Sequence, residues 1–176
     1  QNRVLIALDV LKQVNMHRIM AKSGTWVAFD YEAWNKPAIA ASCEGPLGDK
    51  VANSSCEACA LGALFVATID KDRNIVCEDF TNHGSMEVSS LDQHKMLGSL
   101  ELYFDEDQLK LIEMAFENVN GGFDMWELNA VASMDWKQQN ELEKKLKNFM
   151  ECYPDDRERL EAIMWNIIDN DGEFVP

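Results

Sequence analysis

Cys56-Glu-Ala-Cys-Ala-Leu-Gly-Ala-Leu-Phe-Val-Ala-Thr68 is the stretch that decides the fold. Glu57 is its one charged residue, and Ala58, Leu61, Leu64, Phe65 and Val66 together cover every side of a helix. A helix that is apolar all round belongs at the centre of a core, so the rest of the chain must wrap it. Ser54 and Ser55 stand where they can cap its first turn, with Glu57 just inside. Ala58 and Gly62 form a strip of small residues that lets a neighbouring backbone come close.

Toward the N-terminus, Val4, Leu8 and Leu11 recur at helical spacing, and Val10 and Val14 broaden the stripe. Lys12, His17, Arg18 and Lys22 gather toward its end, where cations suit the helix dipole, and Ser23-Gly24 is the expected stop. Thr25 to Phe29 reads as a short strand. Asn35 to Asn53 contains Pro37, Gly45, Pro46 and Gly48 and reads as a long loop. Ile75-Val76-Cys77, after the polar turn Asp70 to Asn74, is a second short strand.

Toward the C-terminus the pattern becomes helical throughout. Ser90 is placed to cap a helix reaching Leu102. Asp105 to Asp107 opens another with Leu109, Ile112, Phe116 and Val119 inside, ended by Asn120-Gly121-Gly122. Asp124 with Glu127 resembles a capping box for a short helix through Val131. Asp135 starts a helix with Leu142, Leu146 and Phe149 inside and Glu141–Lys145 and Glu143–Lys147 on its wet side. Pro154-Asp155-Asp156 opens the last helix, buried through Leu160, Ile163, Met164 and Ile167 and stopped near Asn170-Asp171-Gly172. The expected fold is mostly α: a single-domain helical bundle over residues 1–176, with a small two- or three-stranded sheet in the N-terminal half. Residues 1–100 supply helix, loops and strands, and residues 101–176 an acidic helical half.

A chain of 176 residues suits one domain and can bury roughly 70% of its unfolded surface, so it needs no disulfide or metal to fold. Its five cysteines are odd in number and irregularly spaced. With no signal-like segment and no apolar run near the roughly 20 residues of a membrane span, the expectation is a soluble protein with reduced thiols in the cytoplasm.

Charge narrows the partners. The net charge is −15, and residues 101–176 hold 19 acidic and 7 basic residues, net −12. Such a field repels DNA, RNA and anionic membranes and attracts basic protein surfaces. Glu106, Glu113 and Glu117 share one side of their helix, away from Leu109, Ile112 and Phe116. Asp155, Asp156, Glu158 and Glu161 form a second cluster. Carboxylates a helical turn apart are spaced by roughly 5–6 Å, comparable to the phosphates a basic nucleic-acid channel receives. These seven residues are the candidate protein-binding site, and reversing Glu113 and Glu117 to Lys is expected to abolish binding without unfolding.

No catalytic motif is present: no nucleophile elbow, no Walker loop and no dinucleotide fingerprint, so neither an enzyme nor a cofactor is implied. Asp70-x-Asp72-x-Asn74 begins like a calcium loop but has Ile75 and Thr81 where glycine and glutamate are required. Cys56-x-x-Cys59 has zinc spacing if Cys43, Cys77 or His83 completes the set. At a helix N-terminus the same pair would have lowered pKa values and raised reactivity. Its apolar setting favours buried core thiols. The alternative to an acidic binding protein is therefore a zinc-binding or thiol-reactive protein centred on Cys56 and Cys59. The five tryptophans (Trp26, Trp34, Trp126, Trp136 and Trp165) read as core.

Cys56-Glu-Ala-Cys-Ala-Leu-Gly-Ala-Leu64 and the ending Asn166-Ile-Ile-Asp-Asn-Asp-Gly-Glu-Phe-Val-Pro176 together resemble small uncharacterised bacteriophage and bacterial proteins. Those carry a Cys-Ala-x-Gly-Ala helix and finish in Gly-x-Phe-Val-Pro. The resemblance brings no catalytic residue with it. It implies an accessory protein that binds and blocks a host factor, a defence nuclease among them.

Overall fold

A computed structural model describes residues 2–29, 55–71, 93–117 and 134–176. The chain is mostly helical, with a small sheet in its N-terminal half. The apolar stretch read first is indeed the centre, but it divides in two. Cys56–Ala58 is a strand (β3), and the helix α2 is Ala60–Lys71. Every residue from Ala60 to Ile69 is buried. The Thr68 hydroxyl, a polar group in this core, donates to the Phe65 carbonyl at 2.6 Å. Ser55 therefore precedes a strand and caps nothing, and Ser54 lies outside the described residues.

The helix α1, Asn2–Asn15, packs against α2 on the side of Ile6, Ala7, Val10, Leu11 and Val14. Of the expected stripe Val10, Leu11 and Val14 are buried as read, whereas Leu8 faces outward, 42% exposed. Apolar residues run unbroken from Val4 to Leu8, so the spacing alone admitted both faces and packing selected one. Nor does α1 reach Ser23. His17 adopts a left-handed φ of 55°, while Arg18 N–H reaches back to the Gln13 carbonyl at 2.9 Å. That is a Schellman ending with histidine in glycine's usual place.

The chain then runs through β1, Ile19–Ala21, turns at Ser23-Gly24 where Gly24 has φ 74°, and forms β2, Val27–Phe29. The central strand is β3, parallel to β1 and antiparallel to β2, with Ile19 and Phe29 both opposite Cys56. The second expected strand, Ile75 to Cys77, lies outside the described residues, as do the loop at 35–53, Ser90 and the Asp124 capping box.

Gly62 explains how tightly sheet and helix meet. A Cβ there would lie 1.7 Å from the Trp26 carbonyl oxygen, so only glycine lets β2 approach α2 this closely. Cys59 joins the two elements. Its N–H donates to the Thr25 carbonyl at 2.6 Å, and its sulfur accepts the Gly62 N–H at 3.4 Å, so the thiol caps the first turn of α2.

Four more helices complete the described fold: α3 (Gln93–Leu100), α4 (Glu106–Glu117), α5 (Trp136–Cys152) and α6 (Asp156–Asp169). Asp135 and Gln138 close a capping box on α5, and the Asp155 carboxylate accepts the N–H groups of Arg157 and Glu158 to start α6. The buried residues of α6 include Leu160, Ile163, Met164 and Ile167, as its periodicity predicts. It runs antiparallel to α1: Arg157 meets Asn15 at one end, and Gly172 lies against Arg3 at the other. It is also antiparallel to α4, because the Arg159 guanidinium reaches the Phe116 carbonyl while Phe174, beyond the C-terminal end of α6, bonds Gln108.

Candidate functional site

The seven carboxylates singled out from the sequence do not form one continuous face. Glu106 opens α4 and pairs with Lys110 at 2.6 Å. Glu117 ends the same helix, about 16 Å further along its axis, where it accepts the Gly24 N–H at 2.6 Å. Asp156 approaches the same turn from α6 and accepts both the N–H and the hydroxyl of Ser23, at 2.7 and 3.1 Å. One turn of chain thus draws together a member of each acidic cluster. Asp155 is the α6 cap, and Glu161 is bridged by Arg157 at 2.9 Å. Glu113 is half-buried beside Glu117, close enough to Cys59 for both charges to act on its thiol.

Five of the seven are therefore committed to the fold or to an ion pair on their own helix: Glu106, Glu117, Asp155, Asp156 and Glu161. The expectation that Glu117 can be reversed without structural cost is corrected by its bond to Gly24. Glu158 is exposed and forms no side-chain hydrogen bond or ion pair among the described residues.

Glu158 and Glu161 face a feature that charge counting missed. Between α5 and α6 lies an open groove of about 590 Å³, with Phe149 and Tyr153 on one wall and Glu158, Glu161, Trp165 and Asp169 on the other. The α6 residues follow steps of three, four and four, a single helical stripe opposite the buried one. Trp165 is 52% exposed, against the expectation that the tryptophans belong to the core, and Trp136 is more exposed still. The signal was available: Trp165 falls on the wet side of a helix whose apolar stripe is already complete without it. The Phe149 and Tyr153 rings meet at a tilt of 54° with centroids 5.1 Å apart, and buried Phe174 supports Phe149 edge-on at 5.4 Å.

The cysteine pair is divided between strand and cap. Burial pushes both thiols up to about 12, and at Cys59 the nearby Glu117 and Glu113 charges add to the effect while the Gly62 and Leu61 N–H groups oppose it. Desolvation outweighs the helix-end effect that would have lowered them. Both are neutral at physiological pH, the opposite of an activated nucleophile. Cys43, Cys77 and His83, the residues that would complete a zinc set, lie outside the described residues. Among the described residues no three His, Cys, Asp or Glu side chains are grouped to hold a metal, and no helix is long and apolar enough to cross a membrane.

No known protein family matches the chain, and no curated protein or solved structure matches it.

Proposed function

We propose that the protein is a non-enzymatic acidic binding protein that captures a basic protein surface, one shaped to receive nucleic acid. The net charge of −12 over residues 101–176 carries this reading. A field of that sign steers cationic surfaces toward the protein and repels phosphates. The exposed carboxylates Glu106 and Glu158, and the groove-lining Asp169, support it at the level of residues. In its fullest form the reading is inhibition by mimicry: a phage-type accessory protein in the host cytoplasm that occupies the nucleic-acid channel of a host enzyme such as a defence nuclease.

The test is capture from host lysate at low and high salt, with and without added duplex DNA. A basic nucleic-acid enzyme should be enriched at low salt, released as salt screens the charges, and displaced by DNA. Capture indifferent to both salt and DNA would sink the mimicry reading, and so would the absence of any basic partner at low salt.

A further inference from the structure

We propose that the groove between α5 and α6 is where the partner docks, and that it takes a lysine- or arginine-bearing segment of a protein, with one cationic side chain laid on Trp165. This rests on the reading of the protein as a captor of basic surfaces and assigns that capture a place.

The argument begins with the spacing on α6. Glu161 stands one turn before Trp165 and Asp169 one turn after it, so the indole is flanked on both sides by carboxylates. Residues at that spacing have Cβ atoms roughly 5–6 Å apart, within the span of a single guanidinium that stacks on a ring and bonds a carboxylate. Across the groove, Tyr153 offers a second ring, held in place by Phe149. Among the described residues, cations lie over the rings of Phe104 and Phe116, and neither Trp165 nor Tyr153 has one.

The helix itself lacks a cation at this end. Asp169 lies in the last turn of α6, where the negative end of the dipole disfavours a carboxylate, and that turn contains no basic residue. Asp171 and Glu173 follow without intervening positive charge. Asp169 forms no side-chain hydrogen bond or ion pair among the described residues. A cation arriving from outside relieves this repulsion; a nucleic acid would worsen it. A purely apolar segment would leave Glu158 and Asp169 uncompensated beside it, Glu161 alone being paired, with Arg157, so the aromatic surface and the charges agree only on an occupant that is basic with an aliphatic or planar stem.

The probe is an oligoarginine peptide, titrated by calorimetry at low salt, with Cys152 as reporter because its exposed thiol lines the groove. Bound peptide should slow alkylation of Cys152, followed by peptide mapping, by about five-fold or more. Trp165→Ala should weaken binding about ten-fold, the scale of a partly desolvated cation–π contact. Trp165→Phe should restore most of it, and Glu101→Gln, exposed but outside both the groove and the seven candidate carboxylates, should change little. Full-affinity binding by Trp165→Ala, or unchanged Cys152 alkylation with peptide bound, overturns the groove while the wider acidic reading stands. No oligoarginine binding at all overturns both. Circular dichroism of each variant confirms that it is folded.

Discussion

The guanidinium of Arg159, wholly buried, donates through Nε to the main-chain carbonyl of Phe116 at 3.0 Å and lies over that residue's own ring, 5.1 Å from its centroid. One arginine thereby fastens the end of α4 to the start of α6. It also reaches the carbonyls of Tyr153 and Pro154, at 3.0 and 3.1 Å, and the Asp156 carboxylate, so α5 is tied to the same point. Helix C-termini leave carbonyls without intrahelical partners, and here a cation from the neighbouring helix satisfies them.

Removing this side chain strands several acceptors and a carboxylate at once. Arg159→Ala should cost about 3–5 kcal/mol in urea unfolding, the range for breaking a buried ion pair from one side. Arg159→Lys should recover less than half, since an ammonium lacks the planar fork that reaches these acceptors. A loss below about 1 kcal/mol for the alanine variant would show that the clamp is replaceable by water.

Two glycines make opposite predictions. Gly62→Ala must push the helix away from the Trp26 carbonyl, since the added carbon meets backbone and not a flexible side chain. It should destabilise by about 3 kcal/mol or more, at or beyond the upper end of overpacking costs. Gly98, exposed on α3 with nothing within 4 Å of an added Cβ, should gain about 0.5–1 kcal/mol on replacement by alanine. Thermal unfolding of the two variants measures both, and equal effects would refute the close approach at Gly62.

The thiols give a pH dependence with a definite sign. An unfolded cysteine loses its proton near 9.0, while Cys56 and Cys59 in the fold hold theirs to about 12. Above the unfolded value the native state binds more protons, so their contribution is complete below about pH 9 and lost as pH rises toward 12. The slope is about 1.4 kcal/mol per pH unit for each thiol. Urea midpoints for the wild type should fall more steeply between about pH 9 and about pH 11 than those of Cys56→Ala/Cys59→Ala. Parallel curves would mean that the thiols are already solvated.

Asp169 and Glu117 should respond in opposite ways. Asp169→Asn removes a carboxylate from the wrong end of a dipole and should stabilise by about 0.5 kcal/mol while weakening oligoarginine binding. Glu117→Gln loses the charged acceptor for Gly24 N–H and should cost about 1 kcal/mol, with binding at the groove retained. Chemical denaturation beside the calorimetric titration separates the two. If Asp169→Asn bound the peptide as tightly as the wild type, that carboxylate would have no part in docking.

Much of this architecture was legible because helices announce themselves by period. The stripes of α4 and α6, the cap at Asp155 and the buried centre all follow from spacing and side-chain chemistry near in sequence. The start of the central stretch did not, since a short apolar run such as Cys56 to Ala58 fits strand and helix equally and only the pairing with Ile19–Ala21 decides it. Arg159 went unread because arginine is ordinarily placed in water. The working positions of Glu117 and Asp156 were hidden for a different reason: their partners, Gly24 and Ser23, lie in a turn 93 and 133 residues away. Trp165 shows the converse error, a large apolar residue assigned to the core on size alone when its helix face pointed out.

The order β1–β3–β2 also sets the sequence of events in which the chain can close. β1 and β2 are separated by five residues, yet neither is the other's partner; both wait for a strand that begins at Cys56. During synthesis the first two strands emerge with unpaired edges, and nucleation falls to the segment that carries the third strand and the central helix together. A substitution in Cys56–Ala58 should therefore slow folding more than it speeds unfolding, whereas one in α6, made after that segment, should do the reverse.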